Sequence, residues 1–206
     1  MTKDRRWVPS CATCESDRRC RRTDDVCAVS RSACQMDALA VYEDPQVLEM
    51  ARVAAQVEAT GYERWDRATE TIEFAHRMGY GRVGLAFCLR LSDEASAYHR
   101  RLEREGFDVV SAMCKAGAVP KESILGLRED EKIRPGLPEA MCNPIAQARL
   151  LADAEVDLNI VMGLCVGHDT LFLQHSRGPV TVLIAKDRVF DHKPVEGLRR
   201  EADAAE

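Results

Sequence analysis

The sequence has no glycine-rich phosphate loop, no Walker motif and no dinucleotide fingerprint, and these absences argue against nucleotide chemistry. It has no apolar run near the roughly 18 residues that a membrane-spanning helix needs. The best run, Ile160 to Val166, is far too short. The opening residues, MTKDRRWVPS, carry charge but no apolar stretch behind it, so no secretory signal is expected. Basic residues are not in excess: 29 Lys and Arg stand against 34 Asp and Glu, for a formal net charge of -5. That balance disfavours a general nucleic-acid binder, which needs clustered cations to neutralise phosphates. The one basic cluster, Arg18, Arg19, Arg21 and Arg22, reads as a solvated face. A cytoplasmic protein is therefore expected, with neither nucleic acid nor a membrane as partner. In a reducing compartment, nine cysteines point to metal ligation or thiol chemistry before structural disulfides.

What is present suits one packed core with a small appendage: 206 residues, 46% hydrophobic and 31% charged. Residues 1–36 hold five of the cysteines, Cys11, Cys14, Cys20, Cys27 and Cys34, and aliphatic side chains are almost absent before Leu39. Such a segment cannot build its own core and needs another staple. The expected division is a cysteine-rich metal-binding segment over 1–40 and an α/β core domain over 41–206. Cys11-x-x-Cys14 is the usual bite on one metal, and four of the five cysteines are the expected ligands. Zinc and a cluster both fit that spacing, and free or redox-active thiols are the alternative.

Beyond it the pattern alternates. Asp44-Pro45 starts a helix that runs towards Gly61, and a second is expected over about 68–78. RVGLAFC from Arg82 reads as a buried strand, Ser92 as the cap of a helix reaching Glu105, and FDVVSAMC as a second strand. Residues 121–138, rich in charge, read as a long exposed loop. Asn143 and Pro144 mark another helix start; VDLNIVMGLC and PVTVLIAKD supply the third and fourth strands. The fold class is α/β, a doubly wound, mostly parallel sheet.

That scheme puts Cys88, Cys114 and Cys165 at strand carboxyl ends and Cys142 just before a helix, all on one edge of the sheet. Four thiolates there would suit a soft metal, and nearby helix amino termini with Lys115 are expected to lower their pKa values. In GLCVGHD, residues 163–169, glycines flank Cys165, His168 and Asp169. His168, Asp169 and Lys115 are the candidate catalytic groups, with helix capping as the plainer role for the histidine.

The motifs GLAFCLRLSDEA, GFDVVSAMCKAGAVPK, EAMCNPIAQARLL and DLNIVMGLCVGHDTLF together resemble a family of bacterial and archaeal cysteine-rich proteins, domain of unknown function 1847. The resemblance covers nearly the whole chain. It implies an amino-terminal cysteine cluster, including Cys11 and Cys14, and a core bearing Cys88, Cys114, Cys142 and Cys165. The expected function is metal binding, through an iron-sulfur cluster, with redox or sulfur-transfer chemistry on a small molecule or redox partner. The alternative is a non-catalytic zinc module, or a metal or redox sensor, that docks a partner. A metal-free thiol oxidoreductase is less favoured, because no Cys-x-x-Cys lies beside a core strand.

Overall fold

The computed structural model describes residues 11–13 and 33–203. The chain divides into two compact units, residues 1–52 and 53–206. In the first, Cys11–Thr13 forms a short 3-10 turn, and helix α1 (Ala33–Ala40) leads into another at Val41–Glu43. Helix α2 (Pro45–Gly61) begins where the sequence places it: Asp44 Oδ1 accepts the Gln46 N–H at 2.8 Å, and proline takes the first position. Among the described residues no helix is long and apolar enough to cross a membrane.

The second unit is built on four parallel strands, β1 (Arg82–Phe87), β2 (Asp108–Met113), β3 (Leu158–Met162) and β4 (Val180–Ile184), in the order β2-β1-β3-β4. β3 is buried throughout and β1 nearly so, which is why both read as continuous apolar runs. Alternate side chains of β1 face opposite ways. Val83 and Leu85 pack with Ile72 and Ala75 of α3 (Arg67–Arg77) and with Tyr98 and Leu102 of α4 (Ser92–Arg104). Ala86 packs on the other face with Ala148 and Leu151 of α6 (Pro144–Asp153) and Phe172 of α7 (His168–His175). Gly84 lets α6 close on the sheet, since a Cβ there would stand 2.9 Å from Leu151 Cδ1. Helix α5 (Lys121–Leu125) lies between β2 and α6, and α8 (Pro194–Asp203) follows β4.

The chain steps outward from β1 to β2, then crosses back over β1 to β3 and β4. Its direction reverses between β1 and β3, the place where doubly wound sheets open a crevice beyond the strand carboxyl ends.

Two local expectations change. Ser92 is the first helical residue rather than the cap: a 3-10 turn, Leu89–Leu91, precedes it, and its hydroxyl donates back to the Leu89 carbonyl at 2.7 Å. The segment 121–138 is not simply an exposed loop. It contains α5 and a 3-10 turn at Glu129–Glu131, and Lys132 within it is only 9% exposed, as is Glu139 just after it.

Candidate functional site

Strand register decides which residues meet at the carboxyl edge. Phe87 pairs with Met113 on one side and Met162 on the other, so Cys88, Cys114 and Gly163 are each the next residue along their strand. The ladder continues one step past the strands: Cys88 N donates to Met162 O at 3.0 Å, Cys114 N to Phe87 O at 2.9 Å, and Gly163 N to Ile184 O at 2.7 Å. Gln147 of α6, 1% exposed, pins the same edge from below, its Nε2 donating to the carbonyls of Ala112 at 2.7 Å and Phe87 at 3.2 Å. Gln147→Leu is expected to lower stability by about 1–3 kcal/mol, the cost of a buried carbonyl left without its donor. Urea unfolding checks this, and an unchanged midpoint would show that the edge does not depend on that amide.

Cys142 arrives by a different route. After Cys114 the chain leaves the sheet, and Met141 N bonds Val119 O at 2.8 Å while Lys121 N bonds Glu139 O at 2.9 Å. Those bonds close the base of the excursion and return Asn143 N to Cys114 O at 2.7 Å. Asn143 then caps α6 through Ala146 N at 3.0 Å, with Pro144 in the first turn, as its sequence indicates. The excursion is braced by its own ion pairs. Lys132 bonds Glu122 and Glu129, the latter at 2.6 Å, and Lys121 bonds Glu139 at 2.5 Å.

Cys165 sits on the turn after β3. Gly163 has φ +62, and a Cβ there would lie 2.3 Å from Leu91 Cδ1. Gly167 has φ +85, and the N–H groups of His168 and Asp169 both reach Cys165 O, at 2.9 and 3.0 Å. Each glycine takes a left-handed conformation that side chains resist. Arg188, beyond β4, donates to Cys165 Sγ at 2.8 Å. Its loop is held by Asp187, whose Oδ1 accepts from Val189 N and Phe190 N at 2.8 and 2.9 Å.

These elements enclose a cavity of about 670 Å³. Cys88, Cys114, Cys142, Cys165 and His168 form one wall. Leu125, Leu127, Ile133, Leu137 and Pro138 of the excursion form another. Among the described residues, five cations, Arg90, Lys115, Lys121, Arg134 and Arg188, line it with a single carboxylate, Glu139. A protein of net charge -5 thus presents a basic crevice.

The structure brings all four core cysteines, His168 and Lys115 to this cavity and leaves Asp169 out of its lining. The Asp169 carboxylate instead accepts the Thr170 N–H at 2.7 Å. Of the amino-terminal cysteines expected to supply four ligands, Cys11 is an exposed thiol and Cys34 lies in α1. Cys14, Cys20 and Cys27 lie outside the described residues. Sequence reasoning missed Arg188 and Gln147. Arg188 follows a parallel strand on the cysteine-bearing edge, a signal that was available; Gln147 looks like any polar residue on a helix.

The thiols are not equivalent. Cys114 and Cys142 Sγ are 3.9 Å apart, within hydrogen-bonding range for sulfur. The Cys114 thiol, by hydrogen bonding to Cys142, holds the Cys142 value down to about 7, and Lys115 adds to the effect. Cys114 is raised by the same contact and by burial. Cys88 is pushed up to about 12 by its hydrogen bond to Cys114 and by burial. The expected general lowering therefore reaches only Cys142 among these three, because burial and sharing of protons outweigh nearby cations at the other two. Burial lowers the His168 value, which keeps its imidazole neutral at pH 7.

Fold and site together define a doubly wound parallel α/β protein with a thiol-lined crevice at its topological switch point. The family model "Protein of unknown function (DUF1847)" matches residues 27–183, and the chain belongs to this family. It is similar to an uncharacterised protein of Methanocaldococcus jannaschii, 42% identical over 151 residues that span 73% of this chain and 76% of the relative.

Proposed function

We propose that the crevice holds a cysteine-ligated iron-sulfur centre and carries out redox or sulfur-transfer chemistry. The observation that carries this reading is the meeting of four thiols, from four separate loops, around one cavity. Soft thiolate donors suit such a centre, which when bound supplies electron transfer or an open iron for a substrate.

The donor geometry bears on which metal group fits. Zn–S bonds of about 2.3 Å set tetrahedral sulfur separations of about 3.8 Å. The Cys114–Cys142 pair matches that edge at 3.9 Å. Among the described residues, however, no three His, Cys, Asp or Glu side chains converge to hold one metal ion. Four soft donors lining one cavity of about 670 Å³ leave room for a polynuclear cluster. Around it Arg188 holds Cys165 in place, Gln147 fixes the two strand ends, and the cations Lys115 and Arg188 offset thiolate charge. Neutral His168 offers a nitrogen that can take or give a proton at a bound substrate.

A second reading rests on the 3.9 Å Cys114–Cys142 contact, which is close enough for a small movement to form a disulfide about 2.05 Å long. The two readings separate by substitution. Cys88→Ser and Cys165→Ser are expected to remove visible absorption and crevice iron if a cluster is present. If the thiol pair alone is active, they leave metal content unchanged, while Cys142→Ser abolishes an oxidation-dependent Cys114–Cys142 crosslink.

A further inference from the structure

The excursion's share of the cavity lining has no role in holding a metal, and its chemistry is specific. Leu125, Ile133 and Leu137 line the cavity yet remain 49%, 80% and 53% exposed. Apolar side chains held at a cavity mouth leave area that binding of an apolar body would remove from water. The excursion that carries them is braced by Lys132 between Glu122 and Glu129 and by the Lys121–Glu139 pair.

Charge supplies the second half of the pattern. Lys121 is paired with Glu139 and Arg188 is bound to Cys165. Among the described residues, Arg90, Lys115 and Arg134 line the same cavity without an ion-pair partner, and Lys115 and Arg134 are the two beside Glu139. Glu139 lies beside both segments. Its Oε1 accepts the backbone N–H of Arg134 at 2.5 Å, and its carboxyl feels the charge of Lys115. Lys115 and Arg134, lining one cavity with these apolar side chains, form a site for an anion with a hydrocarbon tail.

We propose that the crevice binds a small organic anion with an aliphatic body, its acid group held by Lys115 and Arg134 and its body against Leu125, Ile133 and Leu137. The inference deepens the proposed function and rests on it only for the identity of the reacting wall, the thiols and His168. The cavity, at about 670 Å³, falls within the ordinary range for small-molecule sites.

The test is calorimetric titration of the full-length protein, purified without oxygen, with octanoate, octylammonium and 1-octanol, and with iron and sulfide measured on the same samples. Octanoate is expected to bind, with octylammonium silent and octanol at least tenfold weaker. Arg134→Gln is expected to weaken octanoate about tenfold, as loss of one charge-assisted contact implies, and Leu137→Asp to weaken it further. Neither variant is expected to change iron or sulfide content, so failure of the metal reading shows separately from failure of this one. Equal binding of octanoate and octylammonium, or octanoate binding unchanged in Arg134→Gln, would overturn the proposal. So would concentration-dependent self-association abolished by Leu137→Asp in a protein that ignores octanoate, since the apolar wall would then serve a second copy of the chain.

Discussion

In metal-free protein at pH 7, iodoacetamide is expected to alkylate Cys142 at least about 100-fold faster than Cys88. With its value lowered to about 7, roughly half of Cys142 is thiolate at that pH, whereas Cys88, pushed up to about 12, is ionised on the order of one part in 10⁵. The population difference is offset in part, because nucleophilicity falls with thiol pKa with a slope of about 0.4–0.5, which returns on the order of 100–300-fold over five units. The net advantage still belongs to Cys142, and the burial of Cys88, 6% exposed, adds to it. The rate at Cys142 should rise with pH to a half-maximum near 7 and then level off. Since the Cys114 thiol is the main cause, Cys114→Ala should move that half-maximum upward, towards the ordinary thiol value of about 8.5. A Cys142 profile already centred there, and indifferent to Cys114→Ala, would remove the thiol contact from the account.

Gly163→Ala is expected to lower stability by about 2–5 kcal/mol and to displace the Cys165 turn. Two effects add. A φ of +62 costs alanine about 1–2 kcal/mol relative to glycine, and the new Cβ would meet Leu91 Cδ1 at 2.3 Å, an overpacking of about 1–3 kcal/mol. Leu91 is 4% exposed on the turn after Cys88, so its side chain has little room to give way. Urea unfolding measures the loss, and the Cys165→Arg188 contact is the structural readout. A variant as stable as the parent would mean that the two turns are looser than their packing indicates.

The sheet was legible because parallel strands buried on both faces leave continuous apolar runs, as in RVGLAFC and LNIVM, with glycine or polar turns between them. Once strand ends were placed, the parallel rule brought Cys88, Cys114 and Cys165 to one edge, and the Asn143-Pro144 cap signal brought Cys142 beside them. The same rule extends past Ile184 to Arg188, which composition alone does not mark. The excursion could not be read in the same way. Lys132 lies between Glu122 and Glu129, and Lys121 meets Glu139 eighteen positions on; in sequence these charges look like a solvated loop, and only the closed base at Val119 and Met141 turns them inward. The unequal thiols were illegible for a related reason. Local signals suggested cations and helix ends, while the deciding contact, Cys114 with Cys142, spans 28 positions.

The central claim, a cluster held by the crevice thiols, is tested most directly by iron and acid-labile sulfide per chain in oxygen-free protein, compared with a Cys88→Ser/Cys165→Ser double variant. The account predicts matching iron and sulfide with broad visible absorption in the parent, and loss of the crevice share in the variant. A parent without iron, or a double variant that retains all the iron and sulfide of the parent, would contradict it.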